Sequence, residues 1–286
     1  MQAWLLYDAT EVERNRRYIG FYFEECEKRG ISLTLLTAQE LTPACGPQGL
    51  SILQNGQRLA PPDFVVFRAV APVLQKQLER MGVPVYNSAA VSDVCNNKML
   101  TYQLARSLGL TTMETRFIST QAAQPGLPYP LVVKPVDGKG GRGVCLVRDD
   151  AEFRAAATAL GQPYCLVQQE ANMPGRDVRV YVIGHTIRAA MLRRSDKDFR
   201  SNFCLGGQAS VYPLSPKETQ MVQKLADAMD FGFVGIDFVF HNGQMVFNEI
   251  EDVVGARMLY IYTDLNIVGE YLDWILTRIR RESILL

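Results

Sequence analysis

The sequence has no excess of either charge: Lys plus Arg number 30 and Asp plus Glu number 30, for a formal net charge of zero. That excludes the broad basic field of a nucleic-acid or membrane-surface binder, so neither partner is expected and any electropositive site has to be local. Its six cysteines (Cys26, Cys45, Cys95, Cys145, Cys165, Cys204) form no Cys-x-x-Cys pair. This argues against a zinc knuckle or a disulfide framework and for free thiols in a reducing compartment, and the expected location is the cytoplasm. No stretch of 18 apolar residues occurs, and the opening Met1-Gln-Ala-Trp-Leu-Leu-Tyr-Asp8 lacks the basic start and the length of a signal peptide. Internal repeats and low-complexity segments are absent too. Only two histidines are present, His185 and His241, each beside a glycine in a turn-like setting, and neither is assigned a catalytic role.

What is present is the material of a large globular chain. At ~150 residues per domain, 286 residues give two domains or one large one, and 48% hydrophobic residues supply an ordinary core. The first hundred residues alternate strand and helix signals: a strand over 3–7, a helix over 14–29, and a strand over 32–36. Tyr18, Phe21, Tyr22 and Cys26 share one helical stripe, and Gly30 stands where a C-cap glycine belongs. A Gly/Pro-rich connection over 43–49, an apolar strand over 64–67, a helix over 72–81 and a strand over 83–86 complete a small α/β unit with a parallel sheet. Beyond residue 92 the pattern changes to hairpins, with a helix over 97–108, strands over 131–134 and 144–147, a helix over 151–160 and a strand over 164–168. Two strands around Gly184-His185, a basic loop over 193–207, a helix over 216–229, a strand pair over 234–240 and 244–250, and a closing helix follow.

Gly138-Lys-Gly140-Gly141-Arg-Gly143 matches G-x-G-x-x-G literally, but its context does not fit a dinucleotide fold. A Rossmann turn must open a helix, whereas Val144-Cys-Leu-Val147 is β-type, and Val144-Cys145 stands where a P-loop requires Lys-Ser/Thr. A flexible glycine hairpin between two strands remains. Such a loop can lie over phosphates, with Lys134, Lys139 and Arg142 adding charge, or it can be a plain surface turn.

The second feature is a set of carboxylates on apolar strands: Ile236-Asp237-Phe238-Val239-Phe240, then His-Asn-Gly, then Phe247-Asn-Glu249-Ile-Glu251-Asp252. Glu249 and Glu251 share a face because strand side chains alternate. A two-residue Asn242-Gly243 turn would pair 237 with 248 and turn Asp237 away, whereas a three-residue turn would pair 237 with 247 and align all three. A shared metal site therefore predicts the three-residue turn. Oxygen-only ligands suit Mg²⁺ or Mn²⁺ on nucleotide phosphates rather than zinc, and the plain alternative is a solvated acidic sheet end.

With these pieces in order, the segment from about 92 to 260 resembles the ATP-grasp superfamily, most closely the RimK-like carboxylate–amine ligases. The resemblance is carried by Asn97-Lys-Met-Leu100, Val132-Val-Lys-Pro135, Gly138 to Gly143, Leu166-Val-Gln-Gln-Glu170, Gly175-Arg-Asp-Val-Arg-Val180, Asp198-Phe-Arg-Ser-Asn202, Gly235-Ile-Asp237 and Asn248-Glu-Ile-Glu251. It implies a mixed α/β (α+β) ATP-grasp fold, with the nucleotide between two antiparallel sheets under a mobile glycine lid. An N-terminal α/β domain over 1–91 and an ATP-grasp domain over 92–286 are expected, the latter split into a lid-bearing part (92–165) and a C-terminal part (166–286).

The resemblance also implies roles. Lys98, Lys134, Gly138, Gly140, Gly141, Arg142 and Gly143 meet the phosphates, and Gln168, Gln169, Glu170 and Ala171 form the adenine hinge. Asp177 and Arg179 lie near the ribose, Arg200, Ser201 and Asn202 on the phosphate side, and Asp237, Glu249 and Glu251 on two Mg²⁺ or Mn²⁺ ions. Two departures stand out. Glu251 occupies the place of a family Asn, and Gln168-Gln169-Glu170 shifts the family's Gln-Glu-aromatic hinge.

The implied reaction is ATP-dependent amide formation through an acylphosphate, with Arg200 and Arg257 as the catalytic cations. Arg14, Arg17 and Arg68 face an acidic amino acid or peptide, because a guanidinium binds a carboxylate bidentately. The competing readings are a phosphotransferase on the same scaffold and a nucleotide-binding protein without chemistry. A homo-oligomer is also implied.

Overall fold

A computed structural model describes residues 1–122, 124–138, 140–195 and 208–284. The N-terminal unit is a four-stranded parallel sheet in the order Ser32–Thr37, Gln2–Tyr7, Phe64–Arg68, Val85–Tyr86. Its central strands are buried along almost their whole length, as expected of a sheet covered on both faces. The helical stripe read from the sequence buries Tyr18, Tyr22 and Cys26 from the helix Arg16–Lys28, which begins two residues later than expected because a short helix, Ala9–Val12, and a 3-10 turn precede it. Asp8 caps that short helix by accepting from the Thr10 backbone N–H at 3.0 Å.

Residues 43–49 are not a loose connection. They belong to a three-stranded antiparallel sheet, Leu41–Gly46, Gly49–Gln54 and Gln57–Arg58, in which Pro43 is tolerated on an edge strand.

Two further antiparallel sheets build the rest. The first runs Cys145–Val147, Leu131–Pro135, Tyr164–Gln169, Thr115–Ser119, and the second runs Gln208–Val211, Thr186–Arg194, Arg176–Ile183, Phe233–His241, Gln244–Glu251. The edge strand Thr115–Ser119 escaped the sequence reading because it is short and mostly exposed, with no apolar alternation.

The expected boundaries shift as well. A cut at 91/92 falls inside the helix Ala89–Cys95, and a cut at 165/166 falls inside the strand Tyr164–Gln169, which belongs wholly to the lid-side sheet. Packing explains this. One core joins Tyr18, Ile19, Tyr22 and Phe64 of the N-terminal unit to Tyr181, Phe233, Val268, Tyr271 and Leu272 near the other end of the chain. The lid-side sheet keeps a small core of its own, with Leu131, Val133, Phe153 and Val167.

Candidate active site

The carboxylate hairpin settles on an arrangement that neither simple turn provides. The turn is the two-residue one: His241 faces Gln244, and Asn242 and Gly243 both take positive φ, 51° and 74°. This is the primed geometry that Asn-Gly favours. The expected three-residue turn is thus absent. Between Phe238↔Phe247 and Asp237↔Glu249, however, the ladder shifts by one residue, and Asn248 is the extra residue of a β-bulge. The bulge restores the parity that the turn would have lost. Asp237 faces Glu249, Gly235 faces Glu251, and ligand oxygens of Asp237, Glu249 and Glu251 lie within 4.8 Å of one another. Phe238 and Phe247 meet edge to face on the opposite side, at 6.2 Å between ring centroids, and anchor the hairpin in the core.

These carboxylates are embedded in a ladder of alternating charge. Arg179, in register with Asp237 on the neighbouring strand, donates through both arms to Asp237 at 2.8 and 2.6 Å and lies 2.9 Å from Glu251. Arg193, one strand further out, donates to both oxygens of Asp177 at 2.5 and 2.6 Å and to Asp237 at 2.8 Å. Burial alone would raise the Asp237 carboxyl, but Arg179 and Arg193 outweigh it and hold the group at about 2. Glu251 goes the other way: burial raises it, and the neighbouring Asp237 and Glu249 add to the rise against the pull of Arg179. The all-oxygen donor set of the cluster and its spacing fit Mg²⁺.

Arg179 was expected among the nucleotide contacts. Its guanidinium is instead committed to Asp237 and Glu251, and it does not line the nucleotide cleft. Arg193 was not expected in the site: the sequence places it at the start of a basic loop over 193–207, whereas it belongs to the strand Thr186–Arg194 and is buried.

Across from the carboxylates, a single cleft brings together Lys98, Lys134, Gly138, Gly141, Arg142, the run Gln168 to Ala171, Asp177 and Glu249. Lys98 opens its helix just after the N-cap Asn97; its Nζ donates to the Gly138 carbonyl at 2.6 Å and lies 3.7 Å from Glu249. Lys134 donates to Asn248 Oδ1 at 2.8 Å, and burial lowers its ammonium to about 8. The Gln168 side chain is turned inward, donating to Tyr102 and Thr115 at 2.7 and 2.8 Å, so what this position offers a nucleotide is its backbone.

Val132, Met173 and Asn248 also line the cleft. Val132 was legible in principle, since it lies two residues before Lys134 on the same strand face, whereas Asn248 reaches the cleft only because of the bulge.

The remaining expected residues separate. Gly140 and Gly143 belong to the lid loop, with φ of 69° and 72°, but do not line the cleft. Arg142 reaches toward Glu11 of the N-terminal unit, at 4.0 Å. Arg200, Ser201 and Asn202 lie outside the described residues. Arg257 is exposed at the start of the helix Arg257–Tyr262. Arg14 is exposed 3.7 Å from Glu11, and Arg17 is exposed over the Phe21 ring at 5.8 Å. Arg68 is turned inward and buried, so its fork is not displayed to a ligand in the cleft.

Comparison with known proteins agrees with this geometry. The RimK-like ATP-grasp domain family matches residues 97–275. A probable alpha-L-glutamate ligase from Maridesulfovibrio salexigens is 28% identical over 271 residues, covering 88% of this chain and 89% of the relative. Among solved structures, a RimK domain protein from Sphaerobacter thermophilus superposes with a TM-score of 0.73 at 20% identity, over 96% of this chain and 100% of the other. The ATP-grasp ligase PsnB, solved with a minimal precursor, gives 0.70 at 19% identity over 97% and 98% of the two chains. Two lysines sharing a cleft with Glu249, which belongs to a carboxylate trio, and a family match over the same residues lead to one conclusion: the chain belongs to the RimK-like ATP-grasp family and is an ATP-dependent carboxylate–amine ligase.

Proposed function

We propose that the protein joins an acidic amino acid, glutamate first among the candidates, to a peptide or small-molecule partner in the cytoplasm. The observation that carries the reading is the cleft itself, which brings Lys98 and Lys134 together with Glu249, the member of the Asp237, Glu249 and Glu251 trio that lines it. Glutamate is favoured by the name of the relative from Maridesulfovibrio salexigens, and a peptide partner by the precursor bound to PsnB. The absence of any helix long and apolar enough to cross a membrane, among the described residues, is compatible with that setting.

In the reaction a substrate carboxylate oxygen attacks the γ-phosphorus of ATP, ADP departs, and an acylphosphate forms. An amine then attacks the acyl carbon and inorganic phosphate leaves. The chain's task is to position and neutralise. Lys98 and Lys134 meet phosphate oxygens, Gln168 to Ala171 present backbone groups to the base, and the lid over 138–143 covers the phosphates and excludes water. Asp237, Glu249 and Glu251 would hold two Mg²⁺ or Mn²⁺ ions, which supply positive charge at the phosphate oxygens when bound. Arg257, with Arg200, is assigned to the developing oxyanion, and Arg14 and Arg17 to the substrate carboxylates.

The deciding experiment is ADP release from Mg·ATP over a matrix of carboxylates, including glutamate, aspartate and short peptides, crossed with amines, with Glu249→Ala as the blank. Release that needs both a carboxylate and an amine supports the proposal. Release with one acceptor and no amine would move the assignment to phosphotransfer.

A further inference from the structure

Arg68 ends the strand Phe64–Arg68 and is 5% exposed, yet among the described residues no carboxylate lies within 4 Å of its guanidinium. A buried charge without a direct ion pair is costly, and its retention needs a reason beyond filling space. Its direct contacts are tyrosines and one carbonyl, and the opposite charge that feels it, from beyond ion-pair distance, is the buried Asp252 carboxyl. Nε donates to the Tyr7 hydroxyl at 3.0 Å, the guanidinium carbon lies 5.7 and 5.2 Å from the Tyr7 and Tyr18 ring centroids, and the second arm donates to the Val254 carbonyl at 2.7 Å.

That last bond crosses from the N-terminal unit to the loop that leaves the carboxylate strand. The loop begins at Asp252, directly after Glu251, and ends at Ala256, directly before Arg257. It has no ladder of its own, so its carbonyls need other partners. Three of them are held by side chains: Asn87 donates to Asp252 O at 3.1 Å, Arg68 to Val254 O, and Tyr181 to Gly255 O at 2.9 Å. The Asp252 side chain accepts in turn from Ser92 at 2.6 Å and Asn96 at 3.3 Å. Val254 itself is fully buried against Gly235, the residue paired with Glu251; a Cβ at Gly235 would lie 2.5 Å from Val254 Cγ2.

We infer that Arg68 is a positioning residue: by holding the Val254 carbonyl it fixes the loop that sets both the Glu251 end of the carboxylate trio and the start of the Arg257 helix. The N-terminal unit thereby takes part in building the metal end of the site. A guanidinium suits this task because its planar fork binds Tyr7 and Val254 at once and its charge strengthens both bonds; an ammonium cannot span the two. This inference rests on reading Asp237, Glu249 and Glu251 as the metal carboxylates.

The test measures Mn²⁺ bound to the full-length protein with a non-hydrolysable ATP analogue, by electron paramagnetic resonance, beside steady-state kinetics and thermal midpoints. Arg68→Met keeps the bulk and removes the fork; Tyr181→Phe removes one hydroxyl from the same loop and remains informative if the first variant folds poorly. Both are expected to weaken Mn²⁺ by roughly tenfold, as outer-shell partners of metal ligands typically do, and to lower kcat more than they change the KM of the amino acid. Nucleotide affinity in EDTA should be unchanged, and Arg68→Lys should recover only part of the loss. Glu251→Gln is the reference. If Glu251→Gln weakens Mn²⁺ while Arg68→Met and Tyr181→Phe bind it as the parent does, the positioning role is wrong. If Glu251→Gln itself binds Mn²⁺ normally, the metal assignment falls first.

Discussion

Lys134 offers the most direct quantitative test of the cleft. Its ammonium is buried, and that burial lowers it from 10.5 to about 8, because a charge is disfavoured where water is excluded. A triphosphate placed against it reverses the preference and restores the charged form. The sign follows: nucleotide binding must take up protons. If the bound form titrates above pH ~10, uptake is the neutral fraction of the free protein, about 0.1 proton at pH 7, about 0.5 at pH 8 and about 0.9 at pH 9. Affinity then falls as pH rises through the free value, approaching a tenfold loss per unit above it. Calorimetry of ATP binding in EDTA, repeated in buffers of different ionisation enthalpy, reads this uptake directly. Lys134→Gln should abolish the buffer dependence and bind nucleotide more weakly at every pH. Zero uptake at pH 8 to 9 in the parent protein, together with unchanged nucleotide affinity in Lys134→Gln, would show that Lys134 does not meet the phosphates.

Other expectations follow from particular contacts. Gly143 has φ of 72°, and a Cβ there would lie 3.1 Å from Leu160, so Gly143→Ala should cost roughly 1–2 kcal/mol locally and raise the KM for ATP by distorting the lid. Gly235→Ala drives a Cβ into Val254 and should lower stability by roughly 1–3 kcal/mol in urea titration, with weaker Mn²⁺ binding as a second readout. Phe238→Ala empties a fully buried ring site behind the carboxylates and should cost about 3–5 kcal/mol, read as a shift in the urea midpoint. His241→Ala should leave turnover within about tenfold of the parent, since this ring sits by the exposed Asn242-Gly243 turn and accepts only from the Asn172 backbone N–H.

Much of the nucleotide cleft was legible because its residues obey local rules. Lys134 alternates with Val132 along one strand, the glycines stand where positive φ is needed, and Glu249 and Glu251 are two apart. What was not legible depends on counts that a sequence does not display. The Asn248 bulge changes parity without any special residue to announce it, so the correct alignment of Asp237 arises through the turn that had been set against it. Arg179 reads as a nucleotide contact and Arg193 as the start of a basic loop until neighbouring strands place Asp177 and Asp237 beside them. Arg68 looked suited to a substrate because a guanidinium binds a carboxylate bidentately; only the tertiary packing of Tyr7, Tyr18 and Val254 turns it inward. The boundaries at 91/92 and 165/166 failed for a related reason, since a change of sequence texture need not coincide with the end of an element.

The core shared between the first and last parts of the chain also bears on how the protein is made. Tyr18, Ile19 and Tyr22 share their core with Val268, Tyr271, Leu272 and Ile275 of the helix Ile267–Ile284. During synthesis the first ninety residues emerge with that face uncovered, and it stays uncovered until the last helix clears the ribosome. The N-terminal sheet therefore cannot reach full stability as an early, independent unit. Its closure is among the late steps, a long-range contact whose loop spans nearly the whole chain. A ribosome-bound chain halted before residue 267 should remain open to proteases at the helix Arg16–Lys28, whereas the released chain should be protected there.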